Sequence, residues 1–140
     1  MHSEHLQNVR PSWVAFGWFV AAAVTGLVLL ALAAVGIVHP AAETGGAWVF
    51  LAVLVGFLAG GWVVGWRTGS APILHGVGIG LFSLVIWLLA NLLAGALHLT
   101  DWTALSPTVA AGVLLLQIVA AAAGAWYGTH HHALNTASED

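Results

Sequence analysis

Four long stretches without a charged side chain constrain this chain more than any other feature of its sequence. They cover about residues 12–38, 47–66, 72–97 and 107–127. Each is near or above the ~20 residues with which an α-helix crosses the hydrocarbon core of a bilayer. The strands of a membrane β-barrel would alternate apolar and polar residues, and these stretches do not. The pattern predicts four transmembrane helices.

The composition excludes a water-soluble protein. Charged residues make up 5% of the chain and hydrophobic residues 61%, whereas a soluble domain has about 25% charged residues. Two basic residues provide no surface for nucleic acid. The absence of cysteine excludes disulfides and thiolate chemistry. The chain is therefore expected to be an integral membrane protein.

The connections between the four stretches are short, so helices that follow each other in the chain are expected to pack antiparallel. We predict an all-α, integral membrane four-helix bundle that forms one domain over residues 12–128, between tails at 1–11 and 129–140. The segments that end at His39 and His98 resemble each other in their small residues. A duplication is therefore kept as an alternative, in which the two hairpins are related by an axis along the membrane normal.

The few charges predict the orientation. Four spans put Arg10 and Arg67 on one side of the membrane, and Glu43 and Asp101 on the other. Because basic residues mark the cytoplasmic side, both termini are expected there. Arg67, in the connection between the second and third spans, is interpreted as a topology anchor together with Arg10.

Tryptophan and tyrosine are enriched where the spans meet the membrane surfaces, as in an aromatic belt. The predicted cytoplasmic belt contains Trp13, Trp18, Trp62, Trp66, Trp126 and Tyr127, and the outer belt contains Trp48 and Trp102. Trp87 falls near the middle of the third span. Its ring is expected to face lipid, or to pack against a partner or a planar pigment.

Glycines spaced four residues apart predict how the helices pack. Helices in lipid associate through close backbone approach at small residues. The candidate packing residues are Gly56, Gly60, Gly61, Gly65, Gly76, Gly80, Gly124 and Gly128. Their concentration on either side of Arg67 predicts a tight hairpin between the second and third spans.

Two amides lie inside the predicted spans, Asn91 in the third and Gln117 in the fourth. They are expected to share a direct or bridged hydrogen bond across the two helices. The alternative is a solute path that Ser83 and Thr25 also line. No carboxylate or lysine lies within a span, which counts against a transporter.

The histidines leave two interpretations open. His75, at the start of the third span, is expected to hydrogen-bond the preceding turn or lipid headgroups, or else to be an axial ligand of haem or (bacterio)chlorophyll. His98 is a second candidate ligand. His39, His98, Glu43 and Asp101 reach the outer surface, but their spacing lacks a zinc signature. The triplet His130–His132 is placed in the C-terminal tail. No metal or other cofactor is predicted.

The stretch "GGWVVGWRTG…LHGVGIGL" resembles a family of small, uncharacterised bacterial four-helix membrane proteins. A GG-xx-G-x-R turn followed by Leu-His-Gly carries the resemblance, at Gly60, Gly61, Gly65, Arg67, Leu74, His75 and Gly76. The bulky Trp62 and Trp66 depart from the smaller residues expected in this turn. The resemblance implies the four-span topology and the bacterial inner (cytoplasmic) membrane, but no activity.

No nucleophile–base pair or metal cluster is recognisable, so we do not expect an enzyme. The leading hypothesis is a non-catalytic accessory or structural subunit of a larger membrane complex of respiratory or photosynthetic type, with the bilayer and other transmembrane subunits as partners. A small transporter or channel component and a haem- or (bacterio)chlorophyll-binding protein are the alternatives.

Overall fold

The computed structural model describes residues 9–38, 45–97 and 106–137, with only the backbone of residue 45 and of residues 132–137. Four helices fill these ranges: α1 Pro11–Ala34, α2 Gly45–Thr68, α3 Pro72–Ala96 and α4 Pro107–Ala137. Each has a segment long and apolar enough to span a membrane. The predicted all-α, multi-pass four-helix bundle is confirmed.

Proline and glycine set several helix ends. Pro11 and Pro72 occupy the first turns of α1 and α3, where the missing N–H would have no partner in any case. At the other end of α1, Gly36 has a φ of 74°, and the N–H of Ile37 bonds to the carbonyl of Leu32 at 2.9 Å. This Schellman ending closes α1 at Ala34, four residues before the predicted end of the span.

The last helix extends further than the apolar pattern predicts. The fourth stretch was expected to end near residue 127, with a tail from 129, yet α4 continues to Ala137. The segment from Tyr127 to Ala137 contains no proline, and Gly128 is its only glycine. An established helix continues at little cost per residue, so polarity alone does not end it.

The helices form a square in the order α1, α2, α4, α3. The two hairpins α1–α2 and α3–α4 are antiparallel, since Gly60 of α2 meets Gly17 of α1 and Gly80 of α3 meets Ile118 of α4. The two pairs between the hairpins, α1–α3 and α2–α4, run parallel. We call the end that holds the starts of α1 and α3 and the α2–α3 turn the Arg67 end.

The most extensive interface joins α2 and α4, and glycine explains it. Gly61 and Gly65 face the backbone of Ala121 and Ala125, while Gly124 and Gly128 face carbonyl oxygens of α2. A Cβ at any of these glycines would collide with main chain of the other helix. Small residues on both helices therefore bring the two backbones into direct contact.

The expected tight hairpin between α2 and α3 is wrong. These helices lie diagonally across the square and touch little. Gly56 and Gly60 pack on α1, while Gly76 and Gly80 pack on α4. The spacing of small residues marks a packing face, but it does not say which helix occupies it.

The core is made largely of small side chains. Its fully buried members include Ala21, Val64, Ile79, Ala121 and Ala125. Large apolar residues such as Phe19, Leu30 and Leu92 point outward, as they do in proteins whose solvent is lipid.

Candidate functional site between α3 and α4

Three side-chain hydrogen bonds link the parallel helix pairs in the described part of the chain. Two join α1 to α3, through His75 and through Ser83. The third joins α4 to α2, where Thr129 Oγ1 donates to the carbonyl of Gly65 at 3.1 Å. The parallel pairs are not connected by a short loop, so these bonds add to glycine packing in setting their register.

His75 is fully buried, and both of its ring nitrogens are engaged. Nδ1 lies 2.9 Å from the carbonyl oxygen of Ala71, one turn earlier. Nε2 accepts the backbone N–H of Arg10 at 3.2 Å. Nδ1 must therefore carry the proton, since Nε2 is an acceptor. An axial ligand needs a free nitrogen lone pair, and here that lone pair holds the start of α1.

Ala71, whose carbonyl accepts hydrogen bonds from His75, has a left-handed backbone conformation. Ala71 has a φ of 43° and a ψ of 51° and is buried beside Pro72. For a residue with a Cβ this conformation costs roughly 1–2 kcal/mol. Its carbonyl accepts both the backbone N–H and the ring Nδ1–H of His75. These two bonds hold the strained turn.

Trp18 packs between α1 and α3, a role that the sequence did not indicate. Its Nε1–H donates to Ser83 Oγ at 2.9 Å, and its ring packs edge-on against Phe82 with centroids 5.6 Å apart. The side chain points into the α1–α3 interface about a turn and a half deeper than Trp13. Its place in the cytoplasmic belt stays a prediction.

A cavity of about 320 Å³ lies between α3 and α4. Its lining is mostly apolar, and no charged residue of the described ranges contributes to it. The residues that line it are Ser83, Leu84, Trp87, Pro107, Ala110, Ala111, Val113, Leu114 and Gln117. Three residues singled out in the sequence (Ser83, Trp87 and Gln117) thus share one site.

The predicted hydrogen bond between Asn91 and Gln117 is not formed directly. The Asn91 amide donates to the carbonyl of Trp87, one turn earlier on its own helix, at 2.8 Å. Gln117 is half-buried and has no hydrogen-bond partner within the described ranges. Asn91 lies nearer the end of its helix than Gln117 does, so the two amides sit at different depths.

The Arg67 end carries a row of aromatic groups on its outer face. The Arg67 guanidinium lies 5.5 Å from the ring centroid of Trp66, which stacks on Trp62 with centroids 6.0 Å apart. On α4, Trp126 and Tyr127 contact His130 and His131. An exposed cation on aromatic rings fits the role of an interfacial anchor that the sequence predicts for Arg67.

Several predicted site residues lie outside the described ranges: His39, Glu43, His98, Asp101 and Trp102. The outer-surface zinc hypothesis and the ligand role of His98 therefore stay predictions. Within the described ranges, no three His, Cys, Asp or Glu residues come close enough to hold a metal ion together. Arg10 is exposed, and the contact it makes to His75 uses its backbone.

The α1–α3 bond and the shared cavity are the features that the sequence analysis missed. Trp18 and Ser83 looked unrelated because they are 65 positions apart. Their pairing depends on α1 and α3 lying side by side, which no local pattern indicates. The available signal was a hydrogen-bonding side chain inside each of the two spans, Trp18 in the first and Ser83 in the third.

Comparison with family models, with curated proteins and with solved structures finds no match. The family resemblance of the α2–α3 turn stays a prediction.

Proposed function

We propose that this protein is a non-catalytic helical subunit that packs against another transmembrane protein of a larger complex. The observation that carries the proposal is the second half of α1. Beyond Ala21, no residue of this helix is buried, although it continues to Ala34. This half touches α2 along one side, where Thr25 meets Gly56, and leaves the rest of its apolar surface uncovered.

The second half of α1, residues 22–34, carries a small-residue face like those that pack inside the bundle. Ala22 and Gly26 are exposed and spaced four residues apart, and a Cβ at Gly26 would meet no atom within 4 Å. The eight glycines singled out in the sequence, by contrast, are filled by neighbouring helices of the same chain. The Ala22–Gly26 face is therefore the surface that we assign to a partner helix.

The test is isolation of the protein from its native membrane after gentle solubilisation, followed by mass spectrometry. We expect partner subunits to co-purify in fixed proportion and to be lost in Gly26→Ile. The matched control is Gly95→Ile, because Gly95 also has open space around it. Partner recovery that is equal in both variants, or a chain recovered alone, would contradict the proposal.

We further propose that the complex is of respiratory or photosynthetic type in the bacterial inner membrane, with the Arg67 end in the cytoplasm. Arg10 and Arg67 lie at this end, and basic residues favour the cytoplasmic side. Deletion of the protein should then lower the amount of one assembled complex on native gels. Unchanged levels of every such complex would argue against this placement.

The two alternative functions receive less support from the geometry. A pigment- or haem-binding role would require His75 to give up its bond to Arg10, and an absorption spectrum of the purified chain tests it. The four polar residues proposed for a solute path do not share a site, because Thr25 donates to Ala21 at the α1–α2 interface. Solute flux in liposomes tests the transporter alternative.

A further inference from the structure

Gln117 brings an unsatisfied amide into the α3–α4 cavity at the middle of the bundle. It lies ten positions after Pro107, about 15 Å along the helix. Within the described ranges, its side chain has no hydrogen-bond partner. A polar amide in an apolar medium without a hydrogen bond is strongly disfavoured. Since no described residue pairs with this amide, it is available to a molecule in the cavity.

Ser83 adds a second polar group at the same depth. It lies near the middle of α3, as Gln117 lies near the middle of the α4 span. Its oxygen accepts Trp18 Nε1–H, and its own O–H is still able to donate. Trp87, one turn further along α3, adds a flat aromatic wall to the cavity.

We propose that this cavity binds a neutral, lipid-soluble molecule with a planar carbonyl-bearing ring, of the quinone class. The ring lies against Trp87, and a ring oxygen accepts from the Gln117 amide. The hydroxyl of Ser83 supplies a second hydrogen-bond donor. Because an amide and a hydroxyl both donate and accept, the site suits a carbonyl or a ring hydroxyl equally. The proposal concerns binding alone, and it does not depend on a partner subunit.

The properties of the cavity select this occupant over three others. No charged residue of the described ranges lines it, so none of them neutralises the charge of a phospholipid headgroup. An acyl chain would fill the space and leave the Gln117 amide unsatisfied. A water molecule held by Ser83 and Gln117 would fill only about 30 Å³ of this cavity and would leave its apolar walls without an occupant. The volume of about 320 Å³ is at the small end of ligand sites, which favours a single ring over a tetrapyrrole.

The test uses the purified chain in lipid nanodiscs, with decylubiquinone as the probe and tryptophan fluorescence as the readout. Saturable quenching is expected. Trp87→Phe should remove most of its amplitude, whereas Trp126→Phe at the Arg67 end should not. Gln117→Leu should raise the dissociation constant about tenfold, as expected for a lost buried hydrogen bond. Asn91→Leu is the matched control, because Asn91 lies outside the lining, and it should bind like the wild type.

Two further measurements separate binding from folding. Gln117→Leu should unfold at the same temperature as the wild type or higher, because it removes a group that the fold leaves unpaired. Ala110→Phe fills the cavity and should abolish saturable quenching. Quenching that is unchanged in both variants would overturn the proposal. A brominated phospholipid offers a second check. If it quenches saturably and decylubiquinone does not displace it, the occupant is an acyl chain and the proposal is overturned.

Discussion

Single residues at the Arg67 end hold the start of α1 to the start of α3. His75 makes this connection inside the bundle, and it uses the main chain of both neighbours rather than their side chains. The contact therefore depends little on which side chain occupies position 10. It depends strongly on the imidazole, which alone offers a donor and an acceptor on opposite sides of a flat ring.

Replacing the imidazole should expose this dependence. His75→Leu leaves the Arg10 N–H unpaired and removes one donor from the Ala71 carbonyl, so we expect a loss of about 1–3 kcal/mol in unfolding free energy. Arg10→Lys keeps the backbone donor and should change little. Thermal and denaturant unfolding in detergent measures both variants. Equal stability of His75→Leu and the wild type would show that the bonds contribute nothing.

The left-handed backbone at Ala71 predicts an unusual order of stability among substitutions at this position. Ala71→Gly removes the Cβ penalty, which is roughly 1–2 kcal/mol, and should unfold at a slightly higher temperature than the wild type. Ala71→Val adds branching to a buried, left-handed residue and should destabilise strongly. Ala90→Gly, within α3, is the control and should lose about 1 kcal/mol. A destabilised Ala71→Gly would mean that the buried methyl matters more than the strain.

At the scale of helices, glycine contacts decide which elements become neighbours. We expect Gly61→Ala to push α2 away from α4 and to lower the unfolding free energy by at least about 1–3 kcal/mol. Gly112→Ala is the control on α4, because a Cβ there meets no atom within 4 Å. It should be neutral or slightly stabilising, since alanine is the better helix former. Equal effects of the two substitutions, measured by thermal unfolding, would contradict the α2–α4 packing.

The α1–α3 pair contains a cross-helix bond that can be isolated by a double-mutant cycle. Trp18→Phe keeps an aromatic ring beside Phe82 but removes the donor to Ser83, and Ser83→Ala removes the acceptor. The coupling energy should be about 0.6 kcal/mol and at most about 1.7 kcal/mol, the average and the maximum for hydrogen bonds between membrane helices. Additive effects of the two substitutions would indicate that the bond does not form in the membrane.

At the scale of the whole molecule, orientation can be measured directly because the chain has no cysteine. Ser70→Cys places a thiol at the Arg67 end, and Val35→Cys places one at the opposite end. A membrane-impermeant maleimide should reach Val35→Cys from the outer side of the inner membrane and Ser70→Cys only from the cytoplasmic side. The reverse labelling pattern would show that two arginines do not determine the topology.

The sequence by itself determined the number of helices, their membrane character and most of their ends. These properties depend on local features that a single stretch carries: a continuous apolar run, a proline in the first turn, a glycine at the end. The same locality explains the errors. The helix through His130 continues because no residue stops it, although its polarity suggested a tail.

Only the tertiary structure decided which faces meet. A pair of glycines allows close approach by any helix. The glycine spacing on α2 therefore did not show that α1 and α4, rather than α3, pack against it. Ser83 and Gln117 share a cavity, and His75 bonds to the main chain at Arg10, because α3 lies beside both α4 and α1. Contacts between residues 65 positions apart depend on the sum of all helix interfaces, and no segment of the sequence encodes that sum alone.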